Sequence, residues 1–435
     1  MTQTRYVFVS TEDDRHLVKG GIGTYLGLLT RVLARRGHPV DWVTQSPTAN
    51  SFSEAEGGVS RRYLCRSPSE SRARFGDRLA RCVESIVSAS RAADPDAPIF
   101  VEAPDWEGTL ADSFESWAAS EQVLRITRTH TPLVLCLGNN RLEATNENLE
   151  QIDRERRQMT NSDLLSSPTR YTLGATLKFA LGGEAPCGTV VVPNCVDAAR
   201  FRPDFSTEGV ALERLRELTG VSLSADRCRL FVVGSLEHRK GVGVLQRAIP
   251  ALFDLSPELE LCWLGHNLSD TGSQVSANAK LTKEAFYNPI PQRFRDRVHL
   301  CGFVDHDVLP EIYPAADLFI FCYLSDNFPG ALTEVGLSAR PMVTLMRGGI
   351  PEIVTREGRP LTLGINAASE SEIASQLVDA VRTFLLNRES AEALAAELNS
   401  HLRERFGEEE IVDQMQQAYR SAHEKKCASL RGEAS

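Results

Sequence analysis

At 435 residues, 42% hydrophobic and 24% charged, the chain is long enough for two domains with separate cores and has the balance of an ordinary globular protein in water. A formal net charge of −10 argues against a general nucleic-acid binder, and no apolar run approaches the length of a membrane span. Ten cysteines are scattered without a Cys-x-x-Cys pair, and Cys136, Cys262 and Cys322 sit in apolar runs as small hydrophobes, so a reducing cytoplasm and no structural zinc are expected.

Met-Thr-Gln-Thr-Arg leads without a signal-peptide pattern into Tyr6-Val7-Phe8-Val9-Ser10, a buried strand by composition. After a polar loop over 11–19, Gly20-Gly21-Ile22-Gly23 opens a helix with Ile22, Tyr25, Leu26, Leu29, Val32 and Leu33 on one face. Arg35-Arg36-Gly37-His38 ends it, with cations at the negative pole and glycine at the stop, and 40–43 is the next strand. A strand, a glycine loop and a helix suit a phosphate-binding turn, though many such turns bind nothing. The missing Gly-x-Gly-x-x-Gly run and the missing acidic residue at the next strand end count against a dinucleotide site.

Seven arginines follow: Arg61, Arg62, Arg66, Arg72, Arg74, Arg78 and Arg81, beside a helical face of Leu79, Cys82, Val83 and Ile86. They read first as a solvated surface, and second as a docking face for an anionic acceptor or an anionic lipid surface. A strand over 99–102 runs into the acidic loop Ala103-Pro104-Asp105-Trp106-Glu107-Gly108, and His130 stands just past a strand-like stretch. Residues 139–163 alternate in charge and read as an exposed helix or excursion. A short strand over 164–168, a helix over 171–181 and the run Val190 to Asp197 close the first half.

The second half opens with a polar connector over 201–226 that holds one amphipathic helix, then a core strand over 229–234. Arg239 and Lys240 precede a helix through Val244, Leu245, Ala248 and Ile249. Cations are out of place at a helix start, which is already positive, so their position favours an anion between them and the helix end. A strand over 261–266, a flexible insertion over 267–291, a strand and loop over 298–304 and a helix over 309–316 follow. Next come the strand 318–321, the turn 325–330, a helix over 331–338, the strand 342–345 and Gly348-Gly349-Ile350-Pro351-Glu352. Asp326 or Asn327 is the candidate cap of that helix, and Glu334 lies within it. Backbone N–H groups from Gly330 onward favour an anion. Amides for phosphate with carboxylates for hydroxyls suit a nucleotide sugar. Helices over 371–386, with Ser371 as cap, 391–405 and 406–422 complete an α/β chain of parallel-sheet units.

Asp326 through Glu334, the Gly-Gly-Ile-Pro-Glu after it, Arg239-Lys240-Gly241 and Pro193-Asn194-Cys195-Val196-Asp197 together resemble the E-x7-E family of retaining glycosyltransferases with the GT-B fold (glycosyltransferase group 1, family 4). That family includes sucrose synthases and bacterial mannosyl- and glucosyltransferases. The resemblance implies two Rossmann-like parallel-sheet domains facing across a cleft: an acceptor-side domain over 1–200 and a donor domain over 201–405. A C-terminal helix over 406–425 would cross back to the first domain. It implies retaining, metal-independent transfer of a hexose-type sugar from a nucleoside diphosphate sugar to an acceptor hydroxyl, with no cofactor beyond the donor. The acceptor would be a glycan, a lipid-linked molecule or a small molecule, as in polysaccharide biosynthesis.

The same resemblance gives His130, Arg239, Lys240 and Asp326 catalytic roles. It gives donor contacts to Gly20, Gly21, Asn327, Phe328, Gly330, Ala331, Leu332 and Glu334. Relatives that glycosylate lipid-linked acceptors keep the second reading of Arg61–Arg81 open, a peripheral contact to the inner membrane face of a cytoplasmic protein. Three residues depart from the family pattern: Asp326 for glutamate, Ser235 for arginine and Cys195 for glycine. A positive φ at Cys195 would cost about 1 kcal/mol or more. These departures motivate a rival reading, a degenerate sugar-nucleotide-binding subunit. A nucleotide-sugar epimerase of the same architecture is the other rival.

Overall fold

Short β-branched and aromatic runs become the strands of two parallel sheets in the computed structural model, which describes residues 3–15, 20–203, 208–266 and 281–432. The contacts divide the chain into two units. One comprises residues 1–138, 143–195 and 406–435, and the other 139–142 and 196–405.

The first unit holds an eight-stranded sheet. Its strands are β1 (Arg5–Val9), β2 (Val40–Gln45), β3 (Phe52–Glu56), β4 (Val59–Leu64), β5 (Ile99–Pro104), β6 (Val123–Arg128), β7 (Leu164–Ser167) and β8 (Gly188–Val191), in the order β3-β4-β2-β1-β5-β6-β7-β8. All neighbours are parallel except the β3–β4 hairpin, which the sequence reading lacked. Tyr6 lies opposite Val40 on one side and Phe100 on the other, so strand order reverses at β1. Ser71 caps the helix Arg72–Ala93, which packs Phe75, Leu79 and Val83 against Val7, Val9 and Val101. The last helix, Glu408–Leu430, is fastened to this unit along its length. Gln416 donates to the Tyr6 hydroxyl at 3.1 Å, Tyr419 donates to Glu102, and Lys426 pairs with Asp163 at 2.9 Å.

The second unit holds a six-stranded, fully parallel sheet. Its strands are β9 (Cys228–Val233), β10 (Leu259–Leu264), β11 (Val298–Gly302), β12 (Leu318–Phe321), β13 (Met342–Leu345) and β16 (Leu363–Ile365), with a two-stranded excursion of β14 (Thr355–Arg356) and β15 (Arg359–Pro360). The order β11-β10-β9-β12-β13-β16 reverses at β9. In open α/β sheets a ligand site lies outside the strand carboxyl ends at such a reversal. The core joins Leu230 and Val232 of β9 to Val244, Leu245 and Ile249 of the helix Val242–Leu255 and to Leu377 of the helix Glu370–Leu386. No described helix is long and apolar enough to cross a membrane.

Several expectations need correction. The Arg61–Arg81 stretch is not one solvated surface. Arg61 is fully buried on β4 beneath Trp42 and beside Asp14, while Arg62, Arg72 and Arg78 pair with Asp41, Glu107 and Glu70. Arg74 and Arg81 remain exposed. The charged stretch 139–163 forms the helix Asn146–Thr160, with a capping box between Thr145 and Asn148, and it buries Glu155, Gln158 and Met159. Of the expected insertion, 267–280 lies outside the described residues. Within 281–291 a helix forms at Lys283–Tyr287, and Phe286 and Ile290 lie in the core. Ser369, not Ser371, caps the helix Glu370–Leu386, because Glu372 stands three residues on and closes a capping box. Cys195 is buried and is not among the residues with positive φ, so it bears no such strain.

Candidate functional site

In the second unit the loops after β9 and β12, the two strands at the reversal, come together. Gly241 has φ +82°, and a Cβ there would lie 2.1 Å from the Cys322 carbonyl oxygen. Only glycine lets the first loop close against the end of β12. Leu324 N–H then donates to the Arg239 carbonyl at 2.7 Å. Gly348, at φ +63°, plays the same part below Asp326, whose carbonyl accepts the Gly349 N–H at 2.9 Å.

This seam brings Arg239, Lys240 and Asp326 into one cluster. Lys240 Nζ lies 2.6 Å from Asp326 Oδ2 and 3.9 Å from the centre of the Tyr323 ring. Arg239 Nη1 reaches the same Asp326 oxygen at 3.2 Å, while its Nε donates to Glu237 at 2.7 Å. Asp326 Oδ1 accepts the Asn327 N–H at 2.8 Å. Burial pushes the Asp326 carboxyl up, but the Lys240 and Arg239 charges outweigh it and hold the carboxyl below its usual range. Burial lowers the Lys240 ammonium against the pull of Asp326. Two cations facing two carboxylates leave the seam close to neutral in the ligand-free protein.

Asp326 and Asn327 do not cap the next helix. The helix Gly330–Leu337 has Pro329 at its N-cap, which offers no side-chain acceptor to the first turn. Gly330 is exposed and Ala331 partly so, whereas the Leu332 side chain is buried and its N–H donates to the Pro329 carbonyl at 3.1 Å. Asn327 and Phe328 lie partly exposed in the turn. Glu334, one helical turn on, accepts from His306 Nε2 at 2.7 Å and from the Tyr313 hydroxyl at 3.0 Å.

In the first unit Gly20 and Gly21 begin the helix Gly21–Arg35, but the anion there is the chain's own. Glu12 accepts the Ile22 and Gly23 N–H groups at 2.9 and 3.1 Å. A Cβ at Gly20 would lie 2.3 Å from the Glu12 carboxylate, so glycine makes room for Glu12, while nothing lies within 4 Å of one at Gly21. Burial raises the Glu12 carboxyl above its usual range.

His130 follows β6, its N–H donating to Asp105 at 3.0 Å and its ring edge-on to Tyr25. Burial and the nearby Arg128 charge push its imidazole down to about 3, so the ring is neutral at working pH. Arg128 is itself buried and donates to Ser166, the Val192 carbonyl and Asn194, each at 2.7 Å. Beside His130, burial pushes Asp105 up to about 7 and, with the Asp105 charge, Glu155 up to about 8. Glu155 accepts the Glu107 and Leu133 N–H groups at 3.0 and 2.7 Å, holding the acidic loop against the start of the helix Leu133–Asn140.

Sequence reasoning missed Glu12, Glu155, Glu237, His306 and Tyr313. Glu155 had a signal, since Gln151, Glu155 and Gln158 share a helix face in an otherwise charged segment. His306 had none.

Residues 227–403 match the family described as glycosyl transferases group 1. The chain is 24% identical over 203 residues to the GPI3 subunit of phosphatidylinositol N-acetylglucosaminyltransferase of Saccharomyces cerevisiae, covering 46% of this chain and 40% of that protein. It is 25% identical over 166 residues to a Homo sapiens phosphatidylinositol N-acetylglucosaminyltransferase component, covering 38% and 28%. The matched segments therefore span less than half the length of these curated relatives. Among solved structures, sucrose-phosphate synthase of Thermosynechococcus elongatus superposes with a TM-score of 0.72 at 19% identity, over 96% of this chain and 99% of that one. HepE of Anabaena, solved with UDP-glucose, gives 0.66 at 16% over 96% and 99%. The catalytic domain of starch synthase IV of Arabidopsis thaliana, bound to ADP and acarbose, gives 0.68 at 14% over 97% and 99%. These neighbours have the GT-B fold, and the likeness gives this chain that fold.

Proposed function

We propose that the protein is a retaining, metal-independent glycosyltransferase that moves a hexose-type sugar from a nucleoside diphosphate sugar to an acceptor hydroxyl. The observation that carries this reading is the seam at the β9 reversal. There Lys240 and Arg239 stand against Asp326, and the helix Gly330–Leu337 begins in the same loop with no side-chain cap. The match of residues 227–403 to a glycosyltransferase family covers this seam.

The hard step is departure of the diphosphate from the anomeric carbon. Lys240 supplies a point charge and Arg239 a fork of donors to the leaving oxygens, joined by helix-end amides at Gly330 and Ala331. Asp326 holds the two cations in place without donor and turns to the sugar hydroxyls as the diphosphate replaces it. Glu334 receives the ribose hydroxyls. The departing phosphate itself takes the acceptor's proton. His130, kept neutral by burial, has a ring N–H or a lone pair to offer and not an imidazolium charge in the role that the family resemblance gives it.

Neighbours solved with UDP-glucose and with ADP make uridine and adenosine donors the first to try. Relatives named for N-acetylglucosaminyl transfer to phosphatidylinositol add UDP-N-acetylglucosamine as a donor, with a lipid-linked acceptor. The test is nucleoside diphosphate release from a labelled donor panel, with and without chelator. Release that survives chelation supports transfer. Tight binding with no release from any donor would favour a degenerate binding protein, and an altered sugar without release would favour an epimerase.

A further inference from the structure

We infer that His306 is a placeholder for the nucleoside. In the ligand-free protein its imidazole occupies the one Glu334 oxygen that faces outward, and a donor must displace it to bind. This rests on the reading of Glu334 as the ribose anchor.

The two oxygens of Glu334 are not equivalent. Oε2 accepts from the hydroxyl of Tyr313, which is fully buried, so it points into the protein. Oε1 is the oxygen nearest the open helix start, 3.6 Å from where a Cβ on Gly330 would sit, and it accepts from His306 Nε2 at 2.7 Å. The His306 side chain is 25% exposed against 12% for Glu334, so the imidazole lies on the solvent side of the carboxylate. A diol that takes Oε1 must take it from the imidazole. A charged hydrogen bond in a half-buried setting is worth breaking only for a better one, so the cost appears as weaker nucleotide binding.

His306 is also held from behind. Arg200 donates to its carbonyl at 2.8 Å and pairs with the neighbouring Asp307 at 2.6 Å. Asp305 accepts the Asp307 N–H at 2.9 Å and fixes the short 3-10 turn His306–Val308. The Phe201 ring lies edge-on to the imidazole at 5.7 Å. Arg200 and Phe201 follow the run 193–197, so the residues that hold the placeholder belong to the stretch where the chain enters the second unit.

Calorimetric titration with uridine, adenosine and guanosine diphosphates tests this on wild type, His306→Ala, His306→Gln, Arg200→Ala and Glu334→Ala. His306→Ala should bind the preferred nucleotide about three- to tenfold tighter, with the change falling on donor KM rather than kcat. His306→Gln, which restores an N–H donor, should return toward wild type, and Arg200→Ala should move the same way as His306→Ala by less. A merely structural histidine would instead weaken binding in all three. Unchanged or weaker binding in His306→Ala, with binding abolished in Glu334→Ala, overturns the placeholder and leaves the anchor standing. Wild-type binding in Glu334→Ala overturns the anchor, and the inference falls with it.

Discussion

Each unit starts a helix just after a strand at its sheet's reversal, and the two starts differ in what satisfies them. At Gly20–Gly23 the chain's own Glu12 takes the exposed N–H groups. At Pro329–Ala331 the N-cap offers no side-chain acceptor, and two cations on the neighbouring loop pair with Asp326 of the same turn. Both ends attract anions for the same reason. Glycine content therefore says little about which one is a ligand seat, since Gly20 is glycine to admit a carboxylate of the same chain.

Turning the second start into the first should have the largest effect. Gly330→Asp places a carboxylate on the open turn, and nucleoside diphosphate affinity should fall by about a hundredfold while the fold holds. Titration of the refolded variant checks this, and unchanged affinity would dissolve the distinction. The reverse change sharpens it. Glu12→Ala leaves the Ile22 and Gly23 N–H groups unsatisfied and should cost about 1–2 kcal/mol of stability. Sulfate or phosphate should then raise the melting temperature of the variant more than that of wild type in thermal scans.

How much of this could be read from the sequence follows the same line. The parallel sheets, the seam residues Arg239, Lys240 and Asp326 and the helix with Glu334 were legible, because apolar runs and local glycine turns place them. The occupant of the first glycine turn was not, because Glu12 reaches it only through tertiary folding of a polar loop. The arginine stretch misled for a related reason. Charge was visible, but the carboxylates that neutralise it, Asp14, Asp41 and Glu107, come from other elements. The ion pairs of Asp326 depend on the closeness that Gly241 permits, which no local pattern announces.

The first unit carries a pH dependence that the seam does not share. Asp105 and Glu155, at about 7 and about 8, keep protons in the folded state that the unfolded chain releases near its ordinary carboxyl range. The stability they contribute is present below about pH 4 and is lost as pH rises through 7 to 8. Melting temperature should fall from about pH 4 to about pH 8 and level off above that, and Glu155→Gln should flatten the fall. The smallest effect lies at the far end of the Gly330 helix. Ala339 sits at φ +49°, so Ala339→Gly should stabilise the protein by about 0.5–1 kcal/mol in denaturant titration, without touching nucleotide affinity.

The most direct test is donor turnover in Lys240→Ala, measured as nucleoside diphosphate released from the best donor at saturating acceptor. Loss of at least about a hundredfold, with the circular dichroism spectrum and melting curve of a folded protein, is the expected result. Release within a few-fold of wild type from a folded variant would contradict a seam built to carry the charge of the leaving diphosphate.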